Sequence, residues 1–424
     1  MSDAGPRSTA EDLPTAADVD AAAERLRGRV ARTPLTHSAR LSEVVGAQVW
    51  LKREDQQPVR SYKGRGAANL IAQLDSEQIW AGVVCASAGN HAQGVAHACA
   101  SLGVNARIYL PGNTPRQKRE RVAAIGGDWV ETIVGGQTYD EAWAGAVQDA
   151  GRTGATLVPA FDHPHTIAGQ GTIAREIMED MPTPPDVVVV PVGGGGLLAG
   201  CLTWLGERHP GVRVVGVEPA GAASMIRATW NGGPVALETI DRFVDGAAVQ
   251  RVGEWTYRVV AEHSPELVAV AEGRVCTEMI ALYQTEGIIA EPAGALASSA
   301  LDALGIEPGQ TVVAVLSGGN NDVLRYPEVM ERSLIHEGRK HYFLVDFPQE
   351  PGMLRQFLDQ VLGPDDDIAL FEYVKRNNRE TGPALVGIEL GSRQDLQPLL
   401  ERMAASSIDI EPIPHDSPLF RFIL

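Results

Sequence analysis

The stretch Val187-Val188-Val189-Val190-Pro191-Val192-Gly193-Gly194-Gly195-Gly196 decides the fold. Four β-branched residues in a row leave no side for water, so this strand is expected to be buried on both faces, as the strands of a parallel sheet are. Similar apolar runs recur at Val83-Val84-Cys85, Ala106 to Leu110, Val212 to Val217 and Val312 to Leu316. Ala-rich stretches with helical spacing lie among them, at Gly94 to Leu102, Thr172 to Asp180 and Thr277 to Thr285. Strands alternating with helices predict an α/β domain whose sheet is covered on both sides. The four glycines after the strand cost conformational entropy, so something requires a backbone without side chains there. A phosphate held by several N–H groups at the start of a helix is one candidate, and a tight packing turn is the other. The run matches neither the GxGxxG dinucleotide fingerprint nor the Walker sequence, so a phosphate without a nucleotide fits better.

Two more buried strands open into small-residue turns. Val83-Val84-Cys85 is followed by Ser87-Ala88-Gly89-Asn90-His91 and an Ala-rich helix. Backbone N–H groups at such a helix start suit a carboxylate or another anion, with Asn90 adding an amide. The plain alternative is a βα turn that Ser and Asn merely cap. Val312 to Leu316 leads into Ser317-Gly318-Gly319-Asn320-Asn321. Such strand ends converge at the carboxyl edge of a parallel sheet, where ligands of open α/β folds sit. There Ser317 is able to donate to or accept from a ring nitrogen, or else to cap a helix. The chain holds only five lysines, Lys52, Lys63, Lys118, Lys340 and Lys375, against many arginines. Arginine stays protonated, whereas a desolvated lysine can lose its proton and attack a carbonyl. Lys63 follows Tyr62 and precedes Gly64, where a planar ring has room near the backbone. Alone it reads as a solvated surface lysine; beside three small-residue turns it becomes the candidate nucleophile.

At 424 residues the chain is long enough for more than one domain, and 44% hydrophobic with 21% charged residues is an ordinary globular balance. No run reaches the ~20 apolar residues of a membrane span, and the start MSDAGPRSTAEDLPTAAD lacks a basic end followed by an apolar stretch, so a cytoplasmic protein is expected. A net charge of -18 argues against nucleic acid or acidic membranes as partners and leaves small molecules. Cys85, Cys99, Cys201 and Cys276 lack CxxC spacing and read as reduced core thiols. His91, His163 and His165 lack metal-ligand spacing and read as packing residues, so no metal is expected; Glu218 and Glu291, in GVEPAG and AEPAGA, read as loop caps or a weak cation site. Residues 1–15 are expected to be a flexible tail. The polar YPEVMERSLIHEGRK marks a boundary, giving a catalytic domain over 16–335, with a small subdomain at about 66–165 inserted, and a last domain over 336–424. That last segment reads strand His341 to Asp346, helix Gly352 to Val361, strand Ile368 to Lys375, strand Ala384 to Leu390, helix Arg393 to Ala404 and strand Ile408 to Ile413. Its order, βαββαβ, is the ferredoxin-like unit, with two helices on one face of an antiparallel sheet.

Together SYKGRGA around Lys63, SAGNHAQGVA from Ser87, TPRQKRE from Thr114, FDHPHTIAGQGTIAREI from Phe161, VPVGGGGLLAG from Val190 and LSGGNND from Leu316 resemble the fold type II pyridoxal-phosphate enzymes. Within these, the segment from Arg32 to Leu324 is most similar to the threonine dehydratases of isoleucine biosynthesis, which are carbon-nitrogen lyases. The resemblance implies a tryptophan synthase β-like catalytic domain with two parallel-sheet subdomains. It implies pyridoxal 5'-phosphate as cofactor, with Lys63 as Schiff-base lysine, Asn90 on the ring hydroxyl, Gly193, Gly194, Gly195 and Gly196 on the phosphate, and Ser317 facing the pyridine nitrogen. The turn of Ser87, Ala88, Gly89, Asn90 and His91 would bind the substrate carboxylate. Tyr62 stands where the family usually has Phe, and Gly64 where it has a larger residue. Neither change removes a required chemical group.

The implied reaction turns L-threonine into 2-oxobutanoate and ammonia, with L-serine a poorer substrate giving pyruvate. Serine racemases, or serine dehydratases of the same fold, are the rival reading. In similar racemases a serine at the position of Ala88 protonates the opposite face of the substrate, and alanine has no proton to give. A non-catalytic amino-acid sensor is a further alternative, against which the intact Lys63, glycine run and Ser317 argue. The C-terminal segment, with DFPQEPGML from Asp346, resembles a single α+β, ferredoxin-like, ACT-like regulatory domain. It implies feedback inhibition by isoleucine, and the family implies a homotetramer.

Overall fold

The computed structural model describes residues 13–373, 380–414 and 417–423. They form two compact units. One holds the described residues up to Glu272 together with Leu282–Asn321; the other holds Gly273–Ala281 and the described residues from Asp322 onward.

The first unit is built on strands β1 (Leu35–His37), β2 (Gln48–Arg53), β3 (Val83–Ala86), β4 (Ala106–Leu110), β5 (Val130–Val134), β6 (Thr156–Leu157), β7 (Val187–Pro191), β8 (Arg213–Pro219), β9 (Glu266–Val270) and β10 (Thr311–Leu316). Six of them form a sheet in the order β1-β2-β10-β7-β8-β9, parallel except for the β1–β2 pair. The other four form a wholly parallel sheet, β5-β4-β3-β6. β3 and β7 are buried at every position, as strands covered on both faces must be. Helices Pro164–Asp180 and Gly196–Arg208 approach each other through Gly171 and Gly200. A Cβ on Gly200 would lie 2.4 Å from the Ile167 carbonyl oxygen, and one on Gly171 would lie 2.6 Å from that of Gly200. Ile167, Ile173, Val188, Val190, Leu197 and Leu198 share one large core. Cys85, Val95, Cys99 and Ile108 belong to a second, around the smaller sheet.

The second unit contains β11 (Lys340–Pro348), β12 (Asp367–Tyr373), β13 (Thr381–Glu389) and β14 (Asp409–Pro412), paired antiparallel in the order β12-β13-β11-β14. Helices Met353–Val361 and Leu396–Ala405 bury Phe357, Val361, Leu399 and Met403 in one core with Phe343, Val345, Val386 and Ile388. This is the ferredoxin-like arrangement read from βαββαβ. Of the strand expected over Ile368 to Lys375, residues 374 and 375 lie outside the described residues.

Two boundaries differ from expectation. Residues 1–12 of the expected tail lie outside the described residues, but Leu13 packs on the large core and Thr15 caps helix Ala16–Leu26 through a capping box with Asp18. The second unit also takes in helix Tyr326–His336, which was assigned to the catalytic domain. That helix is anchored by Ile335, which packs on Tyr342, Ile413 and Phe420, and by Glu331, which accepts from Lys340 Nζ and, at 2.5 Å, from the Tyr342 hydroxyl. The polar part of that anchor leaves no mark in a hydrophobic pattern. Among the described residues no helix is long and apolar enough to cross a membrane. All four cysteines are buried thiols.

Candidate active site

Lys63 opens helix Lys63–Ile71, and the chain before it is tied to the end of β10. The Tyr62 N–H donates to the Ser317 carbonyl at 3.1 Å, and the Gly319 N–H to that of Arg60 at 2.9 Å. On another side stands Gly94 of helix Asn90–Leu102, where a Cβ would come within 3.0 Å of the Lys63 carbonyl and the Gly64 nitrogen. The Lys63 Nζ lies 5.1 Å from the Tyr62 ring centroid and donates to the Ala160 carbonyl at 3.1 Å. The next residue, Phe161, lies against the glycine run. A Cβ on Gly194 would meet its ring at 2.3 Å, and one on Gly196 would meet its Cβ at 3.0 Å. Gly193 presses on the Ala247 backbone, and Gly195, at φ +92, on Met225 and Thr256. The packing alternative for the four glycines is therefore part of their explanation. It does not use their donors, because among the described residues nothing accepts a hydrogen bond from the N–H groups of Gly193 to Gly196. Those donors, close to a lysine amine, fit a phosphorylated aldehyde such as pyridoxal phosphate.

Asn90 begins its helix behind Gly89, and its side chain caps nothing. Its Nδ2 donates to Glu291 Oε1 at 2.6 Å, and its Oδ1 accepts from Asn320 Nδ2 at 2.7 Å. Ser87 Oγ accepts from the Gly89 N–H at 3.2 Å. The N–H groups of Ala88, Asn90 and His91 have no acceptor among the described residues. Ala88 packs on the smaller core. His91 is buried, with Nε2 2.8 Å from the Val158 carbonyl; burial, helped by Lys63, pushes its pKa down to about 4. The ring is neutral and donates to that carbonyl. Ser317 is buried too, and its hydroxyl donates to the Ala293 carbonyl at 3.1 Å. The capping alternative for Ser317 fails, since the next helical turn, Val323–Arg325, is capped by Asp322.

Glu218 accepts from the Met225 and Ile226 N–H groups, at 2.7 and 2.8 Å, and so caps helix Ser224–Asn231. Glu291 is not a loop cap but the partner of Asn90. Burial pushes its carboxyl up to about 7, assisted by Asp245 and opposed by the Asn90 hydrogen bond, Lys118 and Lys63. Among the described residues no cluster of three His, Cys, Asp or Glu side chains suits a metal ion. Beneath the lysine's helix, buried Arg65 donates to Glu54 at 2.8 Å and to Glu176 at 2.6 Å, and Lys52 donates to Glu176 at 2.7 Å. Asn320, Gly94 and Phe161 escaped assignment from sequence, and Glu291 was read only as a loop cap or weak cation site. Asn320, Gly94 and Phe161 sat inside flagged motifs, but only folding shows which neighbours they meet.

Residues 26–318 match the family model described as pyridoxal-phosphate dependent enzyme, which is the class that this fold and this site define. Residues 331–423 match the model described as the C-terminal regulatory domain of threonine dehydratase. The L-threonine dehydratase biosynthetic IlvA of Mycobacterium tuberculosis is 61% identical over 410 residues, which cover 96% of each chain. The chain belongs to the threonine dehydratase family within the pyridoxal-phosphate dependent enzymes. Among solved structures it is similar to the processed form of threonine deaminase isoform 2 from Solanum lycopersicum, with a TM-score of 0.71 and 35% identity over 78% of this chain and 99% of that one. Maize serine racemase gives a TM-score of 0.70 at 29% identity, over 77% of this chain and 99% of that one.

Proposed function

We propose that this chain deaminates L-threonine to 2-oxobutanoate and ammonia, eliminating water first, with pyridoxal 5'-phosphate carried on Lys63. The observation that carries this reading is the convergence on the Lys63 amine of a glycine turn with unused N–H donors, a fixed Asn90 amide and the buried Ser317. The bound cofactor supplies electron withdrawal from the amino acid's Cα, an acidity that no side chain provides. Lys63 Nζ moves the Cα proton. Gly193 to Gly196 hold the phosphate, Asn90 the ring hydroxyl, and Ser317 is the partner of the ring nitrogen. A hydroxyl does not enforce protonation of that nitrogen as a carboxylate would, which suits elimination. The N–H groups in the turn from Ser87 to His91 take the substrate carboxylate. Ala88 has no proton to deliver to the other face of Cα, which favours elimination over racemisation. L-Serine reacts more slowly, giving pyruvate.

In this reading the first unit is catalytic, and residues 336–424 within the second form an ACT-like regulatory domain that binds isoleucine and lowers activity, as fits the first step towards that amino acid. The enzyme works in the cytoplasm as a homotetramer. Cofactor-loaded protein should absorb at about 410 nm and form 2-oxobutanoate, and Lys63→Ala should lose both. Retention of the band and of turnover by Lys63→Ala would overturn the assignment.

A further inference from the structure

The orientation of the Asn90 amide is fixed by a relay of groups whose donor and acceptor roles are forced. The Val59 carbonyl only accepts, and Asn320 Nδ2 donates to it at 2.8 Å, so the nitrogen end of Asn320 is set. That same nitrogen meets Asn90 at 2.7 Å, so Asn90 must present oxygen there. Gln93 agrees with this: its Oε1 accepts from Arg121 Nε at 2.9 Å and faces Asn320 Nδ2 at 3.3 Å. The Asn90 nitrogen is thereby turned to Glu291 Oε1 at 2.6 Å, and one of its two N–H bonds is used. Glu291 is itself held where it is. It is buried, its backbone N–H donates to the Gly318 carbonyl at 3.2 Å, and a Cβ on Gly318 would lie 2.2 Å from its Oε1. Asn320 thus closes on Asn90 from the turn that carries Ser317, and Glu291 from the start of helix Pro292–Ala295, bonded to that turn through Gly318.

We infer that Glu291 is a positioning residue for the cofactor: with Asn320 it locks the Asn90 amide so that its second N–H stays available to the ring hydroxyl. This rests on the cofactor reading above. A glutamine at 291 still offers an oxygen to Asn90, whereas alanine removes one of the two contacts that hold the amide and leaves only Asn320. The test uses reconstituted full-length protein, with cofactor dissociation followed by dialysis and by the visible absorption band. Glu291→Ala should bind pyridoxal phosphate about tenfold more weakly and shift the band, while Glu291→Gln stays within about threefold of wild type. Asn320→Ala should weaken binding in the same direction, which keeps the test alive if Glu291→Ala does not fold. Equal cofactor affinity in wild type, Glu291→Ala and Asn320→Ala would overturn the positioning role, as would a Glu291→Gln as weak as Glu291→Ala. Failure of the wild type to take up pyridoxal phosphate is a separate result, which would overturn the cofactor site and this role with it.

Discussion

His91 stays neutral well below the pH at which a free imidazole takes up a proton, because burial holds its pKa at about 4 instead of 6.5. Between those two values the unfolded chain binds a proton that the folded chain does not. The stability from neutral His91 is therefore complete above pH 6.5 and is lost as the pH falls towards 4. Glu291, raised from 4.5 to about 7, works with the opposite sign: its contribution is complete below pH 4.5 and is lost as the pH rises through 7. His91→Gln keeps a donor for the Val158 carbonyl, removes the titrating ring and leaves Glu291 in place. The drop in melting temperature between about pH 6.5 and about pH 5 should therefore be smaller in His91→Gln than in wild type. Identical drops would show that His91 is not the buried neutral group described. Single residues were also the hardest to read in advance. Lys63 alone looked like surface, and Ser317 looked like a cap, because the groups that define them arrive from β10, from Ala293 and from Ala160.

The helix that Lys63 opens is held in place by charge. Burial alone would lower the Arg65 pKa, but Glu54 and Glu176 outweigh it and raise the pKa, so the guanidinium remains charged in the interior. Removing one member of such a cluster strands the others without compensation. Arg65→Met should cost about 3 to 5 kcal/mol in urea unfolding, and a loss below about 1 kcal/mol would mean that the network does not support the helix. The strands show what sequence carries at this level. Every apolar run that was flagged, β3, β4, β7, β8 and β10, is bonded on both edges. Those missed are the four sheet edges β1, β5, β6 and β9, together with β2, whose Val49-Trp50-Leu51 is short and is followed by Lys52 and Arg53. Polar residues interrupt the apolar signature of β1, β5 and β6, whereas β9, Glu266-Leu267-Val268-Ala269-Val270, is an apolar run that was not singled out. The glycine run was legible as a constraint, but its origin was not: Phe161, Ala247 and Met225 lie far away in the chain, and their contacts appear only on folding.

Across the molecule, the C-terminal βαββαβ order was readable because its helices are amphipathic and its strands carry apolar residues, even though β12 breaks register against β13 between Ile368 and Leu370. The division between the units was not, since helix Tyr326–His336 joins the second one through Glu331, Lys340 and Tyr342 as well as through Ile335, too few apolar positions to show in the pattern. The match of residues 331–423 to a regulatory domain gives that unit a role separate from chemistry. Deleting residues 336–424 should leave threonine turnover in place and abolish its inhibition by isoleucine; inhibition that survives the deletion would remove the effector from this domain. The central claim is tested most directly by product analysis of the full-length, cofactor-loaded protein supplied with L-threonine. The account predicts 2-oxobutanoate and ammonia released in equal amounts. No keto acid from threonine, or conversion of L-serine to D-serine in place of elimination, would contradict it.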